Sequence, residues 1–478
     1  MNKLLLTLIF LIFIQLKTFA IDIIYPQSNG IKIYANSTFF VGNANTKHDL
    51  FLNGERINLA QNGAFVKYVP LKDGNNSFFF EEKDKLSGRI IDTLNFKVIK
   101  TKPPKNCVDE NNRLTCTDKI YVATVVQDNI PLREKPNEDA KRISHLNSGT
   151  ILILDGKQGD FWRVMLDDNK FAWVLNKHIC EPAEAPAKVL TKVEEIKYEN
   201  SPEKYTFFYK LNFPVPFIIN EYTNSLEVLF YNVDPSDYDR TRKHNYIIEP
   251  LENNVLKTHI YLNHQLWGYD VKYKDGYMIF TVKKPPQINK ENPLKNIKIM
   301  LDAGHGGSEP GAVGPTRVKE SDINIDVARK LQKILEKAGA DVVMVRENDK
   351  YVDLYDRVKM AKEEDPLFFV SIHANALPNG GNPELKHGTS VFYFYPQAKD
   401  FAHIVQKQML KEMGTKDDGV YKRSFAVIRN TNSLSILIEM AYMVHPTEYA
   451  LLLDNNFRQI IANSIKNGIE NYLKETSK

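Results

Sequence analysis

The feature that most constrains this fold is a change of rhythm after Leu294, where short apolar strands begin to alternate with segments of helical periodicity. Apolar side chains recur at helical spacing over residues 321–338, and Gly339 follows where a helix-ending glycine belongs. Such alternation predicts an α/β domain whose mainly parallel sheet is covered by helices on both faces. The predicted strands are 297–301, 342–345, 367–372, 390–395 and 435–438, and the predicted helices are 321–338, 354–364, 398–413 and 457–472.

Polar motifs follow three of these strands. Residues 302–307 (DAGHGG) come directly after the first strand, and residues 371–375 (SIHAN) end the third. Glu439 leaves the last strand, and Glu320 precedes the first helix, which brings it back to the same edge. In such folds ligands collect beyond the carboxyl ends of the strands, so we expect these groups to form one site.

The side chains at this edge suit a zinc ion. Two imidazoles and a carboxylate, from His305, His373 and Glu320, are donors that Zn²⁺ accepts in catalytic sites while one position stays available for water. A phosphate-binding loop is excluded because no Gly-Lys-Ser/Thr follows the glycine-rich turn. A histidine taken alone is more often a packing or surface residue. We interpret the other histidines of this region in that way, namely His387, His403 and His445.

The chain before Leu294 is predicted to form all-β modules. Residues 21–100 alternate short strands with turns and loosely resemble bacterial immunoglobulin-like β-sandwiches. Residues 118–182 resemble a bacterial Src-homology-3-like barrel in the order of their landmarks (LREKP, GT, WRV, WV). Residues 188–284 are also strand-rich and faintly resemble the targeting modules of amidases. Proline-containing linkers at 181–187 and 283–287 separate these parts.

The barrel has two interpretations. In the family that it resembles, the barrel often attaches an enzyme to the cell wall. Alternatively, Trp162 and Trp173 only fill its core, because large aromatic side chains commonly do so.

The first twenty residues are predicted to be a cleaved secretory signal. A short basic start precedes an apolar run that is too brief to span a bilayer, and the run ends at the small residue Ala20. We expect no transmembrane segment in the mature chain, and an exported protein that is periplasmic or associated with the cell wall. Cys107, Cys116 and Cys180 fit that compartment, but the sequence does not choose their pairing. The 63 basic and 59 acidic residues are too evenly balanced to indicate nucleic acid as a partner.

The C-terminal region, residues 295–474, resembles the zinc-dependent N-acetylmuramoyl-L-alanine amidase family. The resemblance implies that His305, Glu320 and His373 bind one Zn²⁺ and that Glu439 is catalytic. The matching stretches are 301–307, 319–320, 345–349, 354–357, 371–375, 388–393, 425–430 and 436–439. Matching arginines, Arg346 and Arg357, are interpreted as structural, and Asn375 and Arg429 are candidate substrate-binding residues, although Asn375 could equally fix its loop. The chain departs from the family pattern at Met440-Ala441-Tyr442, His445-Pro446 and Leu434-Ser435.

The resemblance predicts hydrolysis of the amide bond between N-acetylmuramic acid and L-alanine in peptidoglycan, during cell-wall remodelling or cell separation. Peptidoglycan would be the substrate and also the anchoring ligand of the β modules. Two alternatives remain, a zinc peptidase that acts on the stem peptide and a non-catalytic wall-binding protein. Glu439 could also be a fourth metal ligand or a buried ion-pair partner. In septal relatives of the family that the C-terminal region resembles, a helical insertion after the strand at 390–395 covers the zinc until a partner removes it. Because residues 395–397 lead almost directly into the next helix here, we expect a cleft that is not blocked in this way.

Overall fold

The protein is described by a computed structural model that covers residues 21–101 and 115–476, except 27, 34, 186–187, 223, 235–237 and 244, with backbone only at 115–118. The predicted signal sequence and Cys107 lie outside the described residues. Among the residues with described side chains, Cys180 has no disulfide partner, and its sulfur accepts a hydrogen bond from the backbone N–H of Thr124 at 3.0 Å. In the described part of the chain, no helix is long and apolar enough to cross a membrane.

The first module consists of eight strands in two sheets. One sheet has the order β1-β3-β6 and the other β2-β8-β7-β4-β5. Their inward-facing residues form a single aromatic-rich core in which the ring of Phe40 meets three other phenylalanine rings at 5.0–5.3 Å. The strands are β1 (Ile21–Tyr25), β2 (Ile31–Ile33), β3 (Ser37–Ala44), β4 (His48–Leu52), β5 (Glu55–Ile57), β6 (Ala64–Pro70), β7 (Gly74–Asp84) and β8 (Ile90–Lys100).

The second module is a seven-stranded sheet with the order β11-β10-β14-β13-β12-β9-β15. Trp173 is buried beside Phe161 and Leu175, and Trp162 packs partly buried against the core. The strands are β9 (Thr115–Thr124), β10 (Ile130–Arg133), β11 (Arg142–Leu146), β12 (Ile151–Gln158), β13 (Phe161–Met165), β14 (Phe171–Leu175) and β15 (Ala183–Ala185).

The third module packs two five-stranded sheets around one core. The sheet orders are β20-β16-β17-β25-β24 and β18-β19-β23-β22-β21. The strands are β16 (Thr191–Asn200), β17 (Lys204–Leu211), β18 (Phe217–Tyr222), β19 (Ser225–Tyr231), β20 (Val233–Asp234), β21 (Thr241–Arg242), β22 (Tyr246–Leu251), β23 (Val255–Tyr261), β24 (Tyr269–Lys274) and β25 (Tyr277–Lys283).

The C-terminal domain has one six-stranded sheet with the order β27-β26-β28-β31-β29-β30. The sheet is mixed, because β29 runs antiparallel to β31 while the other four pairings are parallel. The strands are β26 (Lys298–Ala303), β27 (Asp341–Met344), β28 (Phe368–Asn375), β29 (Thr389–Tyr393), β30 (Asp417–Lys422) and β31 (Leu434–Tyr442). The helices are α1 (Glu320–Lys337), α2 (Leu354–Glu364), α3 (Lys399–Met413), α4 (Pro446–Leu453) and α5 (Asn455–Thr476).

The strands of this sheet bury side chains on both faces. In β28, Phe368 packs in the cluster that holds α1, α3 and α5, whereas the next residue, Phe369, packs in the cluster that includes Ala361 of α2. Because successive side chains of a strand point to opposite faces, this explains the nearly continuous apolar run of β28. The chain is therefore multidomain, with β modules before a C-terminal domain that contains helices, as predicted.

The β modules contact the C-terminal domain. The first module lies beside the edge that carries the polar motifs, where the hydroxyl groups of Tyr25 and Thr38 donate to Asn379 Oδ1 at 2.6 and 2.9 Å. A buried apolar cluster reinforces this contact, formed by Phe39, Val41, Tyr442 and Val444. The third module inserts Trp267 into the main core, where its ring meets that of Tyr472 at 5.6 Å.

Candidate metal centre

His305 lies on a tight turn after β26, and two buried arginines hold that turn. His305 itself has a positive φ of 59°. Arg346 donates to the carbonyl oxygens of Ala303 and Gly304 at 2.8 and 3.0 Å. Arg357 donates to the carbonyl oxygen of His305 at 2.9 Å. The structural interpretation of both arginines therefore has a physical basis, because their planar guanidinium groups satisfy backbone carbonyls where the chain leaves β26.

A buried ion pair fixes Arg357 in turn. Its Nη1 lies 2.5 Å from Asp302 Oδ1, and Ser371 Oγ donates to the other oxygen of Asp302 at 2.8 Å. The pair joins the ends of β26 and β28 to α2, so it sets the relative positions of the two histidine-bearing strands.

Glu320 is the first residue of α1 and is almost fully buried. Its Oε2 lies 3.2 Å from His305 Nε2, and its Oε1 lies 3.0 Å from His373 Nδ1. Further donors orient the carboxylate, namely the backbone N–H groups of Ala312 and Ala374 and the side-chain amide of Asn324. A carboxylate at a helix N-terminus is also favoured by the helix dipole.

Two glycines make room for these groups. A Cβ at Gly304 would lie 2.2 Å from Cε1 of the His373 ring, and one at Gly311 would lie 2.4 Å from Glu320 Oε2. Contacts this short do not occur, so the backbone itself approaches the cluster at both positions.

The three side chains fit a metal ion. Their donor atoms all lie within 4.8 Å of one another, and the His305 and His373 rings meet at 5.0 Å with planes 80° apart. Since the lone pair of an imidazole nitrogen lies in the plane of its ring, strongly inclined rings can aim at one point. Two nitrogens and one carboxylate oxygen match the donor set of catalytic zinc sites.

The charges within the cluster are strongly coupled. Burial alone would raise the pKa of Glu320, but its hydrogen bonds with His305 and His373 lower that pKa well below the usual range. Burial lowers the pKa of His305, yet the Glu320 carboxylate outweighs this effect and the net shift is upward. A carboxylate that stays ionised inside the protein is suited to a cation.

Glu439 lies beside this cluster within β31, which continues to Tyr442, and its Cα is paired with that of His373. Its Oε2 is buried and has no hydrogen-bond partner in the described part of the chain. Burial and then the negative charge of Glu320 raise the pKa of Glu439 well above its usual value. A buried polar atom without a partner is costly, so this oxygen is placed for a group that the chain does not supply.

The other two predicted site residues lie apart from each other. Asn375 ends β28 two residues after His373, and its backbone carbonyl accepts from the backbone N–H of Met443. Arg429 is not brought to the cluster. It lines a cavity between modules, and its Nη1 donates to the carbonyl oxygen of Ser424 at 2.9 Å.

A second histidine cluster was not predicted. His387 Nδ1 lies 2.9 Å from Glu448 Oε1, and the rings of His387 and His445 stack at 4.3 Å with planes only 15° apart. Parallel stacked rings direct their in-plane lone pairs side by side rather than at one ion, so this arrangement favours packing over metal binding. His445 also caps α4 by accepting from the backbone N–H of Glu448. No local sequence pattern predicts this cluster, because the loop that brings His387 to α4 has no regular periodicity.

Comparison with known proteins bears on the C-terminal domain. Residues 299–471 match the family described as N-acetylmuramoyl-L-alanine amidase. This match assigns the C-terminal domain, rather than the whole chain, to that family. It is 33% identical over 183 residues to the "Probable cell wall amidase LytH" of Staphylococcus epidermidis, a match that covers 38% of this chain and 60% of the relative. The chain therefore spans less than two thirds of the curated relatives that it matches.

Solved structures of amidases also resemble part of this chain. The catalytic domain of CwlV, an N-acetylmuramoyl-L-alanine amidase from Bacillus (Paenibacillus) polymyxa var. colistinus, is 35% identical, with 37% of this chain and 98% of that chain covered and a TM-score of 0.35. The amidase AmiC2 of Nostoc punctiforme is 31% identical, with 37% and 97% covered and a TM-score of 0.36.

Proposed function

We propose that this protein is a zinc-dependent N-acetylmuramoyl-L-alanine amidase, which hydrolyses the amide bond between N-acetylmuramic acid and L-alanine in peptidoglycan during cell-wall remodelling or cell separation. The observation that carries the proposal is one sheet edge with a donor set of two histidines and one glutamate. Beside this set lies a buried oxygen of Glu439 that has no hydrogen-bond partner among the described residues. Family membership of residues 299–471 supports the choice of bond.

His305, Glu320 and His373 would hold one Zn²⁺. When bound, such an ion supplies Lewis acidity and lowers the pKa of water from about 16 to near 7. Arg346 and Arg357 keep the His305 turn in place through its carbonyl oxygens, and Glu320 is kept ionised by both histidines. The chain thus presents its donors already arranged, which reduces the cost of binding.

Glu439 is assigned the proton transfers. Its Oε2 takes a proton from the attacking water and later delivers it to the nitrogen of the leaving L-alanine. The raised pKa of Glu439 makes its carboxylate a stronger base than an exposed glutamate, because burial and Glu320 both favour the protonated form. An ordinary exposed carboxylate would hold this proton too weakly to pass it on at neutral pH.

The β modules are proposed to hold the enzyme on peptidoglycan in an exported, periplasmic or wall-associated location. The proposed division is 21–100, 118–182, 188–284 and 295–474, the second module being the Src-homology-3-like barrel and the first immunoglobulin-like. The short 3₁₀ turn Pro396–Ala398 that leads into α3 supports a cleft without an inserted blocking helix. Full-length protein should then be active on soluble fragments without the addition of a partner.

Mass spectrometry of digested peptidoglycan tests the reaction. Amidase action leaves glycan with a lactyl carboxylate and stem peptides that begin with a new L-alanine amine. New amino groups inside the stem peptide would instead indicate a zinc peptidase, and binding without new products would indicate a non-catalytic wall protein. Glu439→Gln is the matched control, since it preserves side-chain size and removes the base.

A further inference from the structure

A cavity of about 580 Å³ lies where the second and third modules meet the C-terminal domain. Strand β11 supplies one wall, β18 and β24 supply another, and the segments after β29 and before β31 close it. Because β29 is antiparallel to β31, Phe394 and Tyr395 lie near the edge where β31 begins, whereas Glu439 lies toward its other end. The cavity is thus distinct from the candidate metal centre.

The lining of this cavity is strongly basic. Among its charged residues, the acidic ones are Glu221 and Asp270. The basic ones are Lys141, Arg142, Lys170, Lys362, Lys422 and Arg429. The balance contrasts with the near-neutral composition of the whole chain, which has 63 basic and 59 acidic residues. The cavity lining therefore has a much larger excess of basic over acidic residues than the chain as a whole.

Two arginines of this lining, Arg142 and Arg429, are not paired with any acidic residue that the structure describes. Among the described residues, neither Arg142 nor Arg429 forms an ion pair within 4.0 Å. Burial and the nearby charge of Arg142 lower the pKa of Arg429 to about 10. Partly buried like charges repel each other and lose hydration, so an oxyanion between them would relieve both costs.

A neutral hydrogen-bonding group accompanies these cations. The Nε2 atom of His145 is buried and has no hydrogen-bond partner in the part of the chain that is described. Burial, followed by the charges of Arg429 and Arg142, lowers the pKa of His145 to about 3, so its ring is neutral at physiological pH. Glu221 Oε2 is a second buried atom without a partner in the described chain. Both atoms belong to residues that line the cavity.

The apolar part of the lining suits an organic ligand rather than a bare ion. Aromatic side chains contribute to it, namely Phe217, Tyr222, Tyr269, Phe394 and Tyr395. A volume of this size is typical of sites for small organic molecules, and aromatic faces beside a few placed polar groups are typical of their linings.

We propose that this cavity is a binding site for a small organic molecule that carries carboxylate or phosphate groups, bound between Arg142 of the second module and Arg429 of the C-terminal domain. The chemistry has two natural sources, carboxylates of stem peptides and phosphates of anionic wall polymers. Binding would join three modules, so it would also stabilise their arrangement. The proposal goes beyond the amidase reaction and can be tested without turnover.

Calorimetric titration of the full-length, metal-free protein, which by our proposed mechanism does not turn the muropeptides over, tests this proposal. The probes are a soluble muropeptide with free carboxylates, the same muropeptide with amidated carboxylates, and a short glycerol-phosphate oligomer. We expect the free-carboxylate muropeptide or the phosphate oligomer to bind, and its affinity to fall at least tenfold in Arg142→Gln/Arg429→Gln and to weaken with added salt. The probe that binds identifies the source.

Two controls keep the result interpretable. Arg56→Gln removes an arginine from the first module, where it is 60% exposed, and should bind the probe like the wild type. Lys422→Gln changes an exposed cation at the rim and should weaken binding less than the double variant.

Thermal melting provides a second readout. Without probe, the double variant should melt no lower than the wild type, because the substitutions relieve the repulsion between the two arginines. The probe should raise the melting temperature of the wild type but not that of the double variant. Absence of binding by every anionic probe at millimolar concentration, or equal binding by wild type and double variant, would overturn the proposal.

Discussion

The contact between Gly304 and His373 gives a sharp test of how the metal centre is built. In Gly304→Ala, the new Cβ would lie 2.2 Å from Cε1 and 2.3 Å from Nε2 of the His373 ring, more than 1 Å short of ordinary contact at 3.4 Å. Metal–ligand distances tolerate only about ±0.2 Å, so the ring cannot make this shift and remain a ligand in the same place. A misplacement of about 1 Å can also cost about 100-fold in rate.

We therefore expect Gly304→Ala to bind zinc at least about tenfold more weakly and to hydrolyse peptidoglycan at least about 100-fold more slowly. Competition with a chromogenic chelator measures the affinity, and release of new amino groups measures the rate. Gly381→Ala is a matched control, because its Cβ would approach no atom closer than 3.2 Å. Circular dichroism of both metal-free variants verifies that they fold. Wild-type zinc affinity and rate in Gly304→Ala would refute the geometry of the site.

Three further predictions concern Glu439, Arg357 and Glu221. Glu439→Gln should retain zinc, measured by elemental analysis, while kcat falls by about 10²–10⁴, and an active variant would refute the proton-transfer role. Arg357→Ala leaves Asp302 buried without its cation and should lower the free energy of unfolding by about 3–5 kcal/mol in denaturant titrations, whereas the exposed Arg56→Ala should change it little. Burial raises the pKa of Glu221 to about 6, so the folded protein binds this proton more tightly than the unfolded chain does. The protonated side chain therefore stabilises the fold in full below about pH 4.5, and its contribution is lost as the pH rises through 6. Glu221→Gln should therefore raise the denaturation midpoint at pH 7 but not at pH 4, and equal midpoints at both pH values would contradict this.

Much of the C-terminal domain is predictable because its elements carry strong local signals. The helix predicted at 354–364 is α2 with the same bounds, and that predicted at 321–338 differs from α1 by one residue at each end. Strand β30 and helix α4 were not predicted. In β30 the side chains are only partly buried or exposed, so it lacks the apolar run by which buried strands are recognised.

The sequence predicts which residues meet in the candidate site better than it predicts the contacts that hold them there. Strand ends of one sheet are brought together by topology, so the grouping of His305, Glu320 and His373 follows from the pattern. The role of Gly311 and the support of Glu320 by Asn324 depend on side-chain packing that no local pattern encodes. The position of Arg429 between modules depends on how separate domains dock, which the sequence does not show.

The central claim is that His305, Glu320 and His373 hold the single zinc ion on which amide hydrolysis depends. The most direct measurement titrates zinc into metal-free protein and follows bound metal and new L-alanine amino groups in the same samples. We predict that both rise together and stop at one zinc per chain, and that His373→Ala shows neither rise. Hydrolysis at the full rate by protein without bound metal, or by His373→Ala, would contradict the account.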